Sequence, residues 1–295
     1  MILLTCAVVA CGDAAPTEPP PTQPDGEGVL GAWVRVDGRV RTYRMTTPAS
    51  LSVDAPLLIV LHGAGGDGAE IQEYTAFDRA AEEGFVVVYP DGVSGQWGIG
   101  CDCTTADARG VDDVHFVRVL HDQLRAGIPE LDASRVFLAG FSQGSMMAQR
   151  LACDAPDLVV GFGGVGGPRP RALDTCARNT PVHALLLHGI DDPTTPWDGS
   201  TVTHAAPASA GLWAEANQCA GPTREELTDL ANDSTSVWLD RWDGCAGGGA
   251  VHLYGVVGGG HTWPGSATAF PARLGRTTPD VSATELILQF FDTDE

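Results

Sequence analysis

Six apolar runs, each cut off at a glycine or proline turn, constrain this chain more than any other feature. Pro56-Leu57-Leu58-Ile59-Val60-Leu61 stops at His62-Gly63, and Gly84-Phe85-Val86-Val87-Val88-Tyr89 stops at Pro90-Asp91-Gly92. Val182 to Leu187 stops at His188-Gly189, and Val251 to Val257 at Gly258-Gly259-Gly260. Arg135 to Gly140 and the glycine-spaced Leu158 to Val165 complete the set. A strand with one wet face alternates apolar and polar residues. These runs do not alternate, so each suits a strand covered on both faces, as in a parallel sheet. Val34 to Arg44 does alternate and carries Gly38 at a hairpin turn. Val114, Val117, Leu120 and Leu124 fall at helical spacing behind Asp112 and Asp113, either of which can cap that helix. Ser282 with Glu285 three residues on forms a capping box ahead of Leu286, Ile287 and Phe290. Strands alternating with helices predict an α/β class with a mostly parallel central sheet flanked by helices. Such sheets carry their sites beyond the carboxyl ends of the strands.

The turns at the ends of these runs are therefore where chemistry is expected. Gly140-Phe141-Ser142-Gln143-Gly144 comes after a buried run and precedes a helical stretch from Ser145 to Cys153. This is the strand, sharp turn, helix context of a nucleophile elbow, in which two glycines let strand and helix approach around an exposed serine. It identifies the α/β-hydrolase fold and makes Ser142 the expected nucleophile. A serine hydroxyl needs a base to take its proton. Of the 8 histidines, His115 and His121 belong to a helix face read as solvated, and His183 and His252 to strands. His62 and His188 precede glycine turns and read as loop-fixing residues, and His204 lies in a polar loop and stays open as an alternative on sequence alone. His261 combines a strand end, flexible glycines and the last place in the chain. The fold's order of serine, acid, histidine requires that last place. The acid that orients the imidazole should lie between them. Asp191 and Asp192 are equal candidates on this ground, with Asp198 less well placed. The oxyanion donors expected in this fold are the backbone N–H groups of Ala64, in the loop after the first buried run, and of Gln143. Trp97 and Trp263 flank these segments and read equally as an aromatic wall for substrate or as core.

The chain has 295 residues, 43% of them hydrophobic, enough for one domain with a sizeable core. Asp plus Glu number 38 against 17 for Lys plus Arg, a net charge of -21. That excess disfavours nucleic acid and anionic membrane surfaces as partners. There are 8 cysteines. Cys101, Cys103, Cys153, Cys176, Cys219 and Cys245 form an even set with no zinc-site spacing, the pattern of disulfides in an exported protein. No metal or cofactor is implied. Residues 1–11 read as a signal segment: Ile2 to Ala10 is almost wholly apolar, and Val8-Val9-Ala10-Cys11 resembles the bacterial lipoprotein box. That resemblance implies lipid on Cys11 and an extracellular or cell-envelope location. It departs from the pattern in having no basic residue after Met1. Residues 12–28 read as a proline-rich disordered linker, since proline lacks a donor and fixes φ. Residues 29–295 then form one catalytic domain, with no internal repeat. Its oligomeric state is left open.

Four blocks carry a more specific resemblance. They are Leu61-His62-Gly63-Ala64-Gly65-Gly66; Tyr89-Pro90-Asp91-Gly92 with Trp97 and Val111-Asp112-Asp113-Val114; Gly140 to Gly144 with Met146-Met147-Ala148 and Leu151-Ala152-Cys153; and Gly258-Gly259-Gly260-His261-Thr262-Trp263-Pro264-Gly265. In order, over about Val34 to Phe291, the chain resembles the bacterial esterases that include polyhydroxybutyrate depolymerases, feruloyl esterases and related lipoprotein esterases. The resemblance implies a serine esterase acting on a polyester, a feruloylated polysaccharide or a short acyl ester. It implies Asp192, directly before a proline, as the acid. It implies disulfides Cys153–Cys176 and Cys219–Cys245, with Cys101 and Cys103 standing where the family often has adjacent cysteines. One departure comes just after the elbow, where Gly144-Ser145 replaces the usual Gly-Gly; a serine there is small enough to be tolerated, and it can reshape the cleft floor. The rival readings are a peptidase of the prolyl-oligopeptidase type, a non-catalytic binding protein of the same fold, and a surface protein working through its proline-rich tail.

Overall fold

The computed structural model describes residues 29–176 and 180–292. The signal-like segment with Cys11 and the linker at 12–28 lie outside them. The chain opens with a hairpin, β1 (Val29–Val36) and β2 (Arg39–Thr46), turned at Asp37 and Gly38, both at positive φ. β3 (Ala55–Leu61), α1 (Gly68–Thr75) and β4 (Val86–Pro90) come next. Then come the short α2 (Thr105–Ala108), α3 (Asp113–Gly127), β5 (Leu131–Phe141), α4 (Gln143–Asp154) and β6 (Val159–Val165). β7 (His183–Gly189), α5 (Ala206–Ala216), β8 (Thr223–Glu226), β9 (Ser236–Trp242), β10 (Val251–Val257) and α6 (Ala283–Asp292) complete the fold.

All ten strands form one sheet in the order β1-β2-β4-β3-β5-β6-β7-β10-β9-β8. The middle run from β4 to β10 is parallel, and antiparallel pairs flank it on both sides. The six apolar runs are the six parallel strands. Each is buried on both faces because helices cover the sheet from either side. Leu57, Ile59 and Leu61 belong to one core layer with Phe116, Met147 and Trp213, while Leu58 and Val60 belong to the other with Phe77, Ile287 and Phe291. Asp112 caps α3 by accepting from His115 N, and Ser282 Oγ accepts from Glu285 N at the start of α6. His121, read as solvated, is instead buried on the inner face of α3 beside Leu120 and Leu124. Disulfides join Cys101 to Cys103, Cys153 to Cys176 and Cys219 to Cys245. The second ties the end of α4 to the loop after β6, and the third ties the exit of α5 to the segment after β9.

Candidate active site

The carboxyl ends of β3, β5, β6, β7 and β10 converge, and the residues singled out from the sequence lie there. Ser142 sits between the end of β5 and the first turn of α4 with φ 55° and ψ -118°. A residue with a Cβ rarely adopts such a conformation, and strain of this kind collects at functional positions. The surrounding glycines explain how it is held. A Cβ on Gly144 would strike the carbonyls of Leu61 and His62, and one on Gly140 would strike the Gly144 carbonyl. Helix and strand can approach only without side chains at these two positions. The Ser142 N–H donates to Val165 O at 2.8 Å, pinning the turn to β6. Ser145 is fully buried, and its hydroxyl donates to Gly167 O at 2.7 Å. It ties α4 to the loop after β6, so a serine is accommodated at this position.

His261 lies on the loop after β10, held by its N–H donating to Leu274 O at 2.6 Å. Its Nδ1 is 2.7 Å from Asp192 Oδ2, with both side chains almost wholly enclosed. Asp192 is thus the acid that meets the imidazole, whereas Asp191 and Asp198 are exposed. The reason is local. Asp192 Oδ1 accepts from the N–H groups of Thr194 and Thr195 at 2.7 and 2.8 Å, a turn that aims Oδ2 at His261. The Thr195 hydroxyl lies 2.9 Å from Asp192 Oδ2 and 2.7 Å from Gly166 O, so its single proton is shared between them. Burial pushes the Asp192 carboxyl up, but the His261 contact and the Thr195 N–H outweigh it, and its pKa falls below the ordinary value. The Asp192 carboxylate calls for a proton on His261 Nδ1, which leaves Nε2 as the free base.

The two other strand-end histidines are loop-fixing residues. His188 Nε2 donates to Thr195 O at 2.7 Å, and a carbonyl acceptor requires that nitrogen to carry the proton. His62 Nδ1 lies 2.7 Å from Gly63 O, and His62 Nε2 accepts from Gly92 N at 2.9 Å. His204 pairs with Asp174. Burial lowers the pKa of His62, His188 and His252, against partial compensation from Gly63, Asp192 and Asp243 respectively. Their folded-state pKa values lie below the ordinary 6.5, so the unfolded chain binds protons there that the native state refuses. Stability from these groups is present above pH 6.5 and is lost as pH falls below it. Asp113, raised by burial, acts in the opposite sense, adding stability as pH falls through its folded-state value. The melting temperature is therefore expected to be lower at pH 5.5 than at pH 7.5, by roughly 2–4 °C per kcal/mol lost. An equal or higher value at pH 5.5, with the disulfides intact, would count against neutral imidazoles at these three positions.

The oxyanion candidates adjoin the serine. Gln143 is the first residue of α4, whose leading N–H groups have no intrahelical acceptor. The N–H groups of Gly65 and Gly66 donate to Gly95 O and Gly63 O, while that of Ala64 donates to no described residue. A Cβ on Gly63 would lie 3.4 Å from Ser142 Cβ, so this turn runs beside the nucleophile. Of the two readings of Trp97 and Trp263, core packing holds and the substrate wall does not. They are 0% and 1% exposed and line no open surface, because Trp97 packs on His62 and Trp263 on Phe77 and Tyr74. A half-buried aromatic near the site is Phe270, 6.0 Å from the Phe141 ring and 5.4 Å from Tyr74. Phe141 in turn lies 4.8 Å from the His261 ring. Phe270 and Thr195 carried little sequence signal: one is a lone aromatic in an irregular loop, the other a threonine in a polar turn. A cavity of about 530 Å³ lined by Arg169, His204 and Trp213 borders α5 and involves none of these residues.

A family described as phospholipase/carboxylesterase matches residues 112–218. The chain is 31% identical to NocK of Nocardia uniformis subsp. tsuyamanensis, named as an esterase, over 95% of this chain and 93% of that one. It is 27% identical to feruloyl esterase B of Piromyces equi, over 70% of this chain and 39% of the relative's length. Among solved structures, acetyl xylan esterase from Aspergillus awamori has the same fold, with a TM-score of 0.55 at 16% identity, over 78% of this chain and 90% of that one.

Proposed function

The chain belongs to the esterase family of α/β hydrolases, and from that premise we propose that it is an exported carboxylic ester hydrolase working through an acyl-enzyme on Ser142. The 2.7 Å contact between His261 Nδ1 and Asp192 Oδ2, on a histidine whose ring lies 4.8 Å from that of Phe141 next to the strained Ser142, carries the proposal. In this reading His261 Nε2 takes the Ser142 proton as Oγ attacks the ester carbonyl. The Ala64 and Gln143 N–H groups hold the oxyanion, and the protonated imidazole delivers its proton to the departing alcohol. Water, activated by the same nitrogen, then releases the acid and restores the serine. The substrate is a feruloylated polysaccharide, a polyester or a short acyl ester, and Phe270 beside Phe141 offers an apolar surface for the acyl or aryl group. The three disulfides support export, because paired thiols persist in oxidising compartments. Lipid on Cys11, with residues 12–28 as tether, completes the proposal of an envelope-anchored enzyme.

The test is a panel of p-nitrophenyl acetate, p-nitrophenyl butyrate, methyl ferulate, a hydroxybutyrate oligomer and a peptide anilide. Turnover of esters but not of the anilide is expected, together with one-to-one labelling of Ser142 by an alkyl phosphonofluoridate. A folded, oxidised protein that cleaves only the anilide, or nothing, would overturn the esterase reading.

A further inference from the structure

The loop between β4 and α2, residues 91–104, touches both halves of the proposed oxyanion hole. On one side, Gly95 O accepts from Gly65 N at 2.7 Å, the Gly92 N–H donates to His62 Nε2 at 2.9 Å, and the Trp97 indole N–H donates to His62 O at 2.8 Å. These three bonds bracket Ala64 from both ends of its turn. On the other side, the Trp97 backbone N–H donates to Gln143 Oε1 at 2.9 Å. The Gln143 side chain is buried, and an N–H partner requires its oxygen, not its nitrogen, to face the loop. The loop is itself anchored from below. Gly98 N donates to Asp113 Oδ2 at 2.7 Å, Asp113 Oδ1 accepts from Arg41 at 2.7 Å, and Arg150 donates to Gly98 O at 2.6 Å. Both members of the Arg41–Asp113 pair are buried, and Arg41 also donates to Asp91 O at 3.0 Å.

We propose that this loop is a clamp that sets the spacing of the two oxyanion donors, with the Gln143 side chain and Trp97 as its positioning residues. The inference rests on the assignment of the Ala64 and Gln143 N–H groups to the oxyanion. The physical ground is that the two donors come from different elements, a turn after β3 and the first turn of α4. The close approach of Gly144 to the Leu61 and His62 carbonyls brings the two elements together, but neither element alone fixes where its N–H points relative to the other. Donors of this kind act only when already aimed at the developing charge, and a misplacement of about 1 Å costs on the order of 100-fold in rate. One residue supplies both a donor, through its backbone, and the strut that locates the opposite donor, through its side chain. Trp97 is enclosed because it is the part of the clamp that touches both sides.

Gln143→Met removes the strut and keeps the backbone N–H and the side-chain volume, whereas Gln143→Glu keeps an acceptor for the Trp97 N–H. Expected for Gln143→Met is a fall in kcat of roughly 10- to 100-fold with KM little changed. Affinity for an alkyl boronate, which mimics the tetrahedral oxyanion, should fall in proportion. Gln143→Glu should recover most of the loss. Trp97→Phe removes the indole N–H along with part of the ring volume, and reports on the other strut if Gln143→Met does not fold. Its kcat should fall several-fold, with the boronate affinity falling alongside. In the double variant the losses should be less than additive, since both act through one loop. Single variants that melt earlier yet keep wild-type kcat and boronate affinity would overturn the clamp and leave Ser142 as nucleophile. A Ser142→Ala protein that turns over ester like wild type would overturn the assignment beneath it.

Discussion

Ser142→Ala should lower kcat for p-nitrophenyl acetate by about 10⁴- to 10⁶-fold, the range in which loss of the nucleophile leaves only oxyanion binding and proximity. The structure adds a second expectation that separates chemistry from folding. Ser142 is held at φ 55° and ψ -118°, and alanine carries the same Cβ into the same strained conformation. The melting temperature of Ser142→Ala should therefore stay close to that of the parent. Ser142→Gly removes the Cβ and should be equally inactive yet more stable, by about 1 kcal/mol or more. A pair of inactive proteins with that order of stability would mean that the backbone strain belongs to the site and is offset by the rest of the fold. Hydrolysis by Ser142→Ala within tenfold of wild type would remove Ser142 from the chemistry. A Ser142→Gly protein no more stable than Ser142→Ala would remove the strain argument alone.

The parallel half of the sheet was legible because burial on both faces forces continuous apolar runs, and all six became strands. The antiparallel extension was not. β8 is Thr223–Glu226, exposed along its whole length, with no apolar residue to mark it. β9 carries Asp240 and Arg241 among its apolar residues, and Asp240 is paired with Arg224 across the strand gap. Residues that pair only at the edge of a sheet leave a weak pattern. In the site, position along the chain singles out Ser142 and His261 as candidates, because each comes after a strand end with glycines around it. It did not separate Asp191 from Asp192, since that choice depends on a turn closed by the Thr194 and Thr195 N–H groups. The tryptophans misled for a related reason. Sequence places Trp97 near the site but does not say that its two N–H groups are spent on His62 O and Gln143 Oε1. A side chain so engaged is turned inward. Phe270, by contrast, is left half-exposed, in a loop with neither helical nor strand period.

Asp192→Asn should cost about 10⁴-fold in kcat with KM nearly unchanged, although it alters a single atom. The geometry requires so large an effect. Asp192 Oδ1 is committed to the Thr194 and Thr195 N–H groups, so the asparagine must place its oxygen there to keep those two bonds. Its amide nitrogen then faces His261 Nδ1 and donates. The imidazole must accept on Nδ1 and carry its proton on Nε2, the nitrogen that has to be empty to receive the Ser142 proton. The fold survives, because the turn bonds are retained and no volume changes. The rate does not, because the tautomer is wrong and no carboxylate remains to stabilise the imidazolium. Asp191→Asn and Asp198→Asn serve as controls of equal charge change. Both side chains are exposed, and each variant should keep kcat within about twofold, as surface substitutions away from a site usually do. If instead Asp191→Asn is the crippled variant and Asp192→Asn is active, the acid has been misassigned. If all three remain active, His261 is oriented by something other than a carboxylate, and the Thr195 hydroxyl, 3.2 Å from His261 Nδ1, is the group to remove next.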